Sequence, residues 1–276
     1  MPMSAVRPAR GRKVEKSGVL HETWEIVKTI AIALLVALLL RVFLFQPFTI
    51  PSASMEPALY QGDYIIVTKW NYGYSRHSIP FSPPVFDGRI MGSTPKRGDI
   101  AVFKLPRDDN TDYIKRVIGL PGDRIHVTGN KVFVNGVAST YASAGEPTVA
   151  PDCDASGAPR PGVELQVETL PDGFSHLIQE CSPTDPSEFA PQLQDETGRP
   201  IRYIVPEGHL FMMGDNRDNS IDSRWPEADG VSFVPLENVV GKAELILVSW
   251  SREVELFKPW TWFTELRPSR FFKRLR

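Results

Sequence analysis

The chain has 276 residues, of which 42% are hydrophobic and 23% are charged, and its formal net charge at pH 7 is −2. This length and apolar content allow a substantial core and suit one domain with insertions better than two full domains. The near-balanced charge lacks the basic surface of a nucleic-acid binder, so we expect no nucleic-acid partner.

The N-terminal part has the pattern of a membrane anchor. Residues 24–45 are predominantly apolar, and a helix of this length spans the roughly 30 Å hydrocarbon layer. A cleavable signal peptide is one alternative, but the run is long and no A-x-A-like site precedes a mature start. A buried helix of a soluble protein is the other, and the lack of a polar face disfavours it.

The charges before this segment predict its orientation. The basic residues Arg7, Arg10, Arg12, Lys13 and Lys16 all precede it, which places residues 1–23 in the cytoplasm. Residues 46–276 would then form a domain outside the cytoplasm.

Beyond the anchor, β-branched and aromatic residues predict a mainly β, antiparallel domain. The predicted strands cover residues 64–67, 100–103, 113–118, 124–127, 131–134, 210–213 and 242–248. Turn signals at 129–130 and 135–136 predict consecutive hairpins. Two segments near 71–95 and 141–200 interrupt the pattern, and we interpret them as insertions.

The second insertion contains the only two cysteines of the chain, Cys153 and Cys181. In an oxidising compartment such a pair can close a loop, so we predict a disulfide, with two free thiols as the alternative. Thiol titration of the unreduced protein distinguishes the two. Two cysteines with no histidine at ligand spacing make a poor zinc site.

The C-terminal residues from Trp250 onwards mix aromatic side chains with cations. This mixture is typical of a segment that touches a membrane interface. A core-packing strand followed by a solvated tail is the alternative.

A short Pro-rich segment, 50–57, follows the anchor and contains Ser52 and Ser54. On its own, a serine in such a segment usually marks a turn.

The segment 113–123 places two adjacent cations, Lys115 and Arg116, in an apolar strand. Because side chains alternate along a strand, the two must point to opposite faces, and one of them faces the interior. A buried lysine loses the solvation that favours its ammonium form and can accept a proton. The alternative is that Lys115 lies on a solvated edge and Arg116 pairs with a carboxylate.

The segment 212–224 is a dense polar loop after an apolar strand. Its Asp/Asn spacing suggests a calcium loop, but the glycine at the sixth position and the glutamate at the twelfth are absent, which disfavours a metal. A solvated loop and a hydrogen-bonded network that supports an active site are both open.

In order and residue type these three segments resemble the motifs of bacterial type I signal peptidases, also called leader peptidases, which are Ser-Lys dyad serine peptidases. The serine motif matches residues 51–57, followed by Gly62 and Asp63, with Ala58 where threonine is usual. The lysine motif matches 115–123 and the third motif matches 214–224.

The resemblance implies a catalytic role for several side chains. Ser54 would be the nucleophile and Lys115, acting neutral, its general base. The Ser52 hydroxyl would join the Ser54 backbone N–H in stabilising the oxyanion. Ser220 would hydrogen-bond and orient Lys115, supported by Asp222 and Arg224. Neither a catalytic histidine nor a metal or other cofactor is expected.

The resemblance also implies the substrates and the location. Small apolar pockets would select small residues before the cut, in the A-x-A sense, on exported preproteins. Cleavage would occur on the outer side of the bacterial inner membrane, by an enzyme that contacts membrane lipids and lies near the secretion translocon. The residues expected to line the pockets are Phe48, Ile50, Ile65 and Ile114.

Other functions are conceivable for such a sequence. A self-cleaving repressor of similar catalytic fold would not carry the anchor, and a pilin-processing Ser-Lys peptidase would not be expected to carry the full 214–224 loop. A membrane-anchored β-domain that only binds partners would leave Lys115 in its apolar strand unexplained.

Overall fold

The computed structural model describes residues 16–128, 131–147, 163–180, 197–251, 254 and 258–275. Cys153, Cys181 and the predicted turn at 129–130 lie outside these residues, so the disulfide stays a prediction. The chain divides into two compact units, the first ending at Arg41 and the second, which is rich in β-structure, beginning at Val42.

Helix α1 extends over Lys16–Phe43. Within it, His21–Phe43 is long and apolar enough to cross a membrane, and none of its apolar window is buried. A core helix of a soluble protein would hide these side chains, whereas here they need an apolar surrounding. The helix ends two residues before the predicted end of the anchor, and Phe45 instead opens the first strand.

The β-rich unit is built from short strands and very little helix. Its strands are β1 (Phe45–Thr49), β2 (Asp63–Thr68), β3 (Ile100–Lys104), β4 (Asp112–Gly119), β5 (Arg124–Thr128), β6 (Lys131–Val134), β7 (Val137–Ala138), β8 (Thr140–Gly145), β9 (Glu164–Thr169), β10 (Ser175–Glu180), β11 (Arg202–Ile204), β12 (His209–Met213), β13 (Val234–Pro235) and β14 (Val239–Ser249). A short helix, α2, covers Thr261–Thr264. Single 3₁₀ turns cover Arg76–Ser78, Leu236–Asn238 and Pro268–Arg270.

Within the described ranges the strands form three sheets, and the strand pairs within them are antiparallel. The main sheet has the order β1-β2-β14-β3-β4-β12-β13. A three-stranded sheet has the order β10-β9-β8, and a four-stranded sheet has the order β11-β5-β6-β7. The predicted mainly β, antiparallel fold with one N-terminal apolar helix is therefore confirmed.

Among the described residues the core consists of three apolar clusters, and strand β3 shows how two of them divide. Ile100 and Val102 belong to the first cluster, whereas Ala101 and Phe103 belong to the second. This alternation follows from the period of two along a strand, and it means that apolar side chains cover both faces of the sheet at β3. The central strands can therefore hold side chains away from water.

The C-terminal segment is buried in one part and exposed in another. Arg270 and Leu275 are buried, and the Arg270 guanidinium pairs with Asp63 at 2.6 Å. Trp260 and Phe263 are instead 63% and 77% exposed. The end of the chain thus packs on the core, while the aromatic residues around α2 face outwards.

Candidate active site

Ser54 lies in the connection between β1 and β2, which is closed at its base. The Ile50 N–H donates to the Asp63 carbonyl at 2.9 Å, and the Gly62 N–H donates to the Ile50 carbonyl at 3.0 Å. Met55 and Leu59 are fully buried in the first apolar cluster. These contacts leave the connection little freedom, so the position of Ser54 is fixed by the core beneath it.

The far end of this connection depends on a glycine and an ion pair. Gly62 has a φ of +83°, and a Cβ there would lie 2.2 Å from the Trp250 carbonyl oxygen, so only glycine fits. Asp63 next to it is fully buried and accepts from Arg270 and from the Tyr60 N–H. The Gly62-Asp63 pair of the serine motif therefore closes the loop that carries Ser54.

Lys115 and Arg116 are both buried, 3% and 1% exposed, on strand β4 between β3 and β12. Their partners differ, as expected for neighbours that point to opposite faces. Arg116 forms two hydrogen bonds with the Asp215 carboxylate, at 2.8 and 2.6 Å. The expected pairing of Arg116 with a carboxylate is thus observed, but the alternative that placed Lys115 on a solvated edge is wrong.

Lys115 Nζ lies 2.6 Å from Ser54 Oγ, within hydrogen-bond distance. The two residues are 61 positions apart in the sequence, and the fold brings β4 and the serine turn into contact. Burial lowers the pKa of Lys115 from 10.5 to about 8, against the opposing effect of the Asp222 carboxylate. A lysine with such a pKa is neutral in a substantial fraction of molecules at mildly alkaline pH and can then accept the Ser54 proton.

Ser52 lies on the exposed side of the Ser54–Lys115 pair. Its hydroxyl oxygen is 3.3 Å from Ser54 Oγ, and the residue is exposed whereas Ser54 is buried. A hydroxyl at this distance can donate a hydrogen bond to an oxygen that develops charge next to the nucleophile.

The third motif packs directly against the serine turn. A Cβ on Gly214 would lie 2.4 Å from the Ser54 carbonyl oxygen and 2.3 Å from Ser220 Oγ, so this contact requires glycine. The Asn216 N–H donates to the Ser54 carbonyl, and the Asn216 side chain donates to the Ala53 carbonyl, both at 3.2 Å. Asn216 therefore holds the nucleophile turn, a role that sequence reasoning did not assign to it.

Asp222 and Arg224 form the internal support of this loop. The Asp222 carboxylate accepts from the Gly214 N–H at 2.9 Å and from two nitrogens of the Arg224 guanidinium at 2.8 Å. Burial opposes the charged form of Asp222, but Arg224, the Gly214 N–H and Lys115 together outweigh it, and the pKa of the carboxyl is lowered. The 214–224 segment is thus a hydrogen-bonded network and not a solvated loop.

The hydrogen bond from Ser220 to Lys115 that the resemblance implies is absent. Ser220 is 1% exposed, and its hydroxyl has no hydrogen-bond partner among the described residues. It lies beside Gly214 and the Ser54 backbone, whereas Lys115 Nζ is engaged with Ser54 Oγ. Ser220 is thus at the site, but in this structure it does not orient the lysine.

The four expected pocket residues belong to one apolar cluster beside the serine turn. Phe48 and Ile65 are cross-strand neighbours of β1 and β2. Phe48 is partly exposed and Ile114 is 9% exposed, so both can touch a bound chain. Ile65 is completely buried and Ile50 nearly so, which places these two in the wall behind such a pocket.

The site contains side chains that can carry out acyl transfer, the Ser54 hydroxyl and the Lys115 amine. Across the described ranges there is no group of three or more His, Cys, Asp or Glu residues that could hold a metal ion. His176, although remote from the three motifs in sequence, packs beside their buried charges, with its Nε2 3.6 Å from the Asp215 carboxylate.

Comparison with known proteins points to one family. Residues 23–250 match the family model described as "Signal peptidase, peptidase S26". A signal peptidase I from Rickettsia akari (strain Hartford) is 35% identical over 260 residues, which cover 89% of this chain and 90% of that protein. One from Rickettsia canadensis (strain McKiel) is 35% identical over 259 residues, covering 90% and 92% of the two chains.

A crystal structure of a signal peptidase I from Enterococcus faecalis V583 is 25% identical to this chain, covers 54% of it and 97% of that chain, and has a TM-score of 0.29. The family assignment depends on the sequence matches, which extend over most of the chain and include all three motifs. The chain therefore belongs to the signal peptidase family S26 and is a serine endopeptidase.

Proposed function

We propose that this endopeptidase removes the N-terminal signal peptides of exported preproteins, with Ser54 as nucleophile and Lys115 as its general base. The observation that carries the proposal is the 2.6 Å contact between Lys115 Nζ and Ser54 Oγ in a buried site. A protonated structural lysine would be expected to find a carboxylate, whereas this one faces a hydroxyl.

The proposed reaction uses Lys115 twice. As Ser54 Oγ attacks the scissile carbonyl carbon, neutral Lys115 accepts the hydroxyl proton, and it then delivers that proton to the leaving amine. In the second half of the reaction neutral Lys115 accepts a proton from a water that adds to the acyl carbon, and the ester C–Oγ bond breaks as Lys115 returns that proton to Ser54 Oγ. The Ser52 hydroxyl and the Ser54 N–H would stabilise the oxyanion of both tetrahedral intermediates, an interaction worth about 10²–10³ in kcat.

The apolar cluster beside Ser54 supports a preference for small residues before the cut. Phe48 and Ile114 leave limited surface exposed next to a closely packed core. A bulky side chain would have to displace them, and this overpacking costs free energy, whereas a small side chain fits without it. Alanine at the first and third positions before the bond, the A-x-A pattern, is the expected preference.

The experiment that tests the proposed function is incubation of the purified protein with an exported preprotein. We expect one new N-terminus directly after an A-x-A-like sequence. Sequencing that N-terminus identifies the cut, and a substrate with a bulky residue before the cut serves as the control. Cleavage at unrelated positions, or of both substrates equally, would contradict the proposal.

We also propose that α1 anchors the enzyme in the bacterial inner membrane, with the peptidase unit on the outer side. Ser54 follows the helix end at Phe43 by 11 residues, so the chain can separate the two by no more than about 40 Å. The active site is thereby kept near the membrane surface, where a signal peptide leaves the translocon.

The orientation predicts a protease-protection result. Protease added to intact spheroplasts should digest the peptidase unit, because the basic residues before α1 retain the N-terminus in the cytoplasm. Immunodetection of a C-terminal tag measures this, with a cytoplasmic protein as the control for intact cells. Full protection of the tag would overturn the orientation.

The exposed aromatic residues around α2 are proposed to contact lipid, since Trp260 and Phe263 are large, apolar and largely uncovered. In vesicles with bromine-labelled acyl chains, we expect Trp260→Phe to remove a quenched part of the tryptophan fluorescence. Trp225→Phe, at a partly buried position in the third-motif region, is the control. Equal quenching losses in the two variants would exclude lipid contact at Trp260.

A further inference from the structure

Strands β9 and β10 form a hairpin within the second interpreted insertion, and three of its titratable residues are buried: Glu168, His176 and Glu180. Glu168 on β9 is 0% exposed, and His176 on β10 is 7% exposed. Glu168 and His176 are cross-strand neighbours in the hairpin. Burial of a carboxylate is costly unless a cation and hydrogen bonds compensate it, so the partners of Glu168 indicate what the hairpin does.

The compensating cation comes from the third motif. Arg217 is 3% exposed, and its Nη1 lies 3.1 Å from Glu168 Oε1, while its Nη2 contacts Oε2. The Tyr141 hydroxyl donates to the same carboxylate at 2.5 Å. Arg217 Nε in turn donates to the Gly214 carbonyl at 3.2 Å. Glu168 therefore fixes a guanidinium that clamps the residue packed against Ser54.

The backbone makes a second connection between the hairpin and the same segment. The Gln179 N–H donates to the Asp215 carbonyl, and the Arg217 N–H donates to the Gln179 carbonyl, both at 2.9 Å. These two bonds hold Asn216 between them, and the Asn216 N–H donates to the Ser54 carbonyl. The end of β10 thus serves as an additional strand that aligns the segment behind the nucleophile.

Glu168 is also connected, through His176, to the side of the site that carries Lys115. His176 Nε2 lies 3.2 Å from Glu168 Oε2 and 3.6 Å from Asp215 Oδ1. Asp215 is the partner of Arg116, the direct neighbour of Lys115 on β4. Two guanidinium groups and two carboxylates are thereby buried together, one pair behind each member of the proposed dyad.

We infer that Glu168 is a positioning residue of the active site, which acts through Arg217 and Gly214 on the placement of Ser54. The inference rests on the proposed function of Ser54. It assigns the β9–β10 hairpin a part in catalysis: a site that lacks the Glu168 carboxylate would keep its dyad but lose the alignment of Ser54 with Lys115. Misplacement of reacting groups by about 1 Å can cost about 10²-fold in rate.

The test compares Glu168→Gln with Glu164→Gln, the same change at an exposed position of the same strand. We expect Glu168→Gln to lower kcat 10- to 100-fold per folded molecule. KM should change less than about twofold, because the pocket residues are untouched. Glu168→Asp, which keeps the charge, should recover part of the loss, and Glu164→Gln should equal the wild type.

Acylation of Ser54 by a small serine-directed reagent gives a second readout that needs no preprotein. Its rate should fall in parallel with kcat in Glu168→Gln. If the wild type is acylated but cleaves no preprotein, the proposed function fails, while a slower acylation of Glu168→Gln still supports the positioning role. A folded Glu168→Gln protein with wild-type kcat and acylation rate overturns the inference.

Arg217→Lys keeps the inference testable if Glu168→Gln does not fold. The lysine retains a cation for Glu168 but cannot also donate to the Gly214 carbonyl as Arg217 Nε does. We expect a folded protein with kcat reduced 10-fold or more. Wild-type kcat in this variant would show that the clamp on Gly214 does not position Ser54.

Discussion

Replacement of Ser54 with alanine is expected to reduce kcat by about 10⁶-fold, to below detection, as for other serine peptidases that lose their nucleophile. The variant lacks the hydroxyl that lies 2.6 Å from Lys115 Nζ. The neighbouring Ser52 hydroxyl is 3.3 Å from the position of Ser54 Oγ, at an exposed residue. The protein should stay folded, with a Tm within about 4 °C of the wild type, because one oxygen and no apolar contact is removed. Preprotein cleavage and thermal unfolding measure the two effects.

Two further serine variants make the result specific. Ser52→Ala should retain a low rate, about 10²- to 10³-fold below the wild type, since it removes one oxyanion donor but not the nucleophile. Ser143→Ala changes an exposed residue of β8 and should be fully active. Processing by Ser54→Ala at a rate near that of Ser52→Ala or above would show that another residue attacks the substrate.

Five strands of the main sheet, β2, β3, β4, β12 and β14, follow from the sequence pattern, because their residues alternate or run apolar as packing in a core requires. β1 was missed, since Phe45–Thr49 continues the apolar anchor and only its pairing with β2 makes it a strand. β9 was missed for another reason. In Glu164–Thr169 the two buried residues are Leu165 and a carboxylate, Glu168, so the alternation of buried apolar and exposed polar residues does not apply.

The members of the candidate site were predictable where motif and chemistry coincide, as for Ser54 and Lys115, which the fold brings into contact. The supports of that contact were harder to foresee. Glu168 and Arg217 are 49 positions apart, and nothing local to either residue indicates the other as its partner. The Asn216 contacts also depend on tertiary structure, because they join the third motif to backbone carbonyls of the first.

The pH dependence of the reaction should report the protonation of Lys115. Burial lowers its pKa to about 8, so the ammonium form predominates below pH 8 and the neutral base above it. We expect kcat/KM to rise with pH along a limb of apparent pKa near 8, and to fall about tenfold per unit below it. Steady-state rates from pH 6 to 10 on one preprotein measure this limb. A rate independent of pH across this range would exclude a lysine base with that pKa.

Lys115→Arg is expected to lower kcat/KM by at least about 10³-fold, although it preserves the charge and much of the aliphatic stem. Arginine keeps its proton at any pH at which the protein is folded, so it cannot accept the proton of Ser54. The loss should also persist at pH 10. A variant whose base was only weakened would regain activity there, because a larger fraction of that base would be neutral.

The matched control is Lys242→Arg on β14, where the lysine Nζ pairs with Asp99 at 2.8 Å. An arginine can replace a lysine in such an ion pair, because the role requires only a positive charge and a donor. Lys242→Arg should therefore keep the wild-type rate and pH limb. If Lys115→Arg behaves like Lys242→Arg, the lysine that contacts Ser54 serves only to hold charge in the fold, and another group must activate the nucleophile.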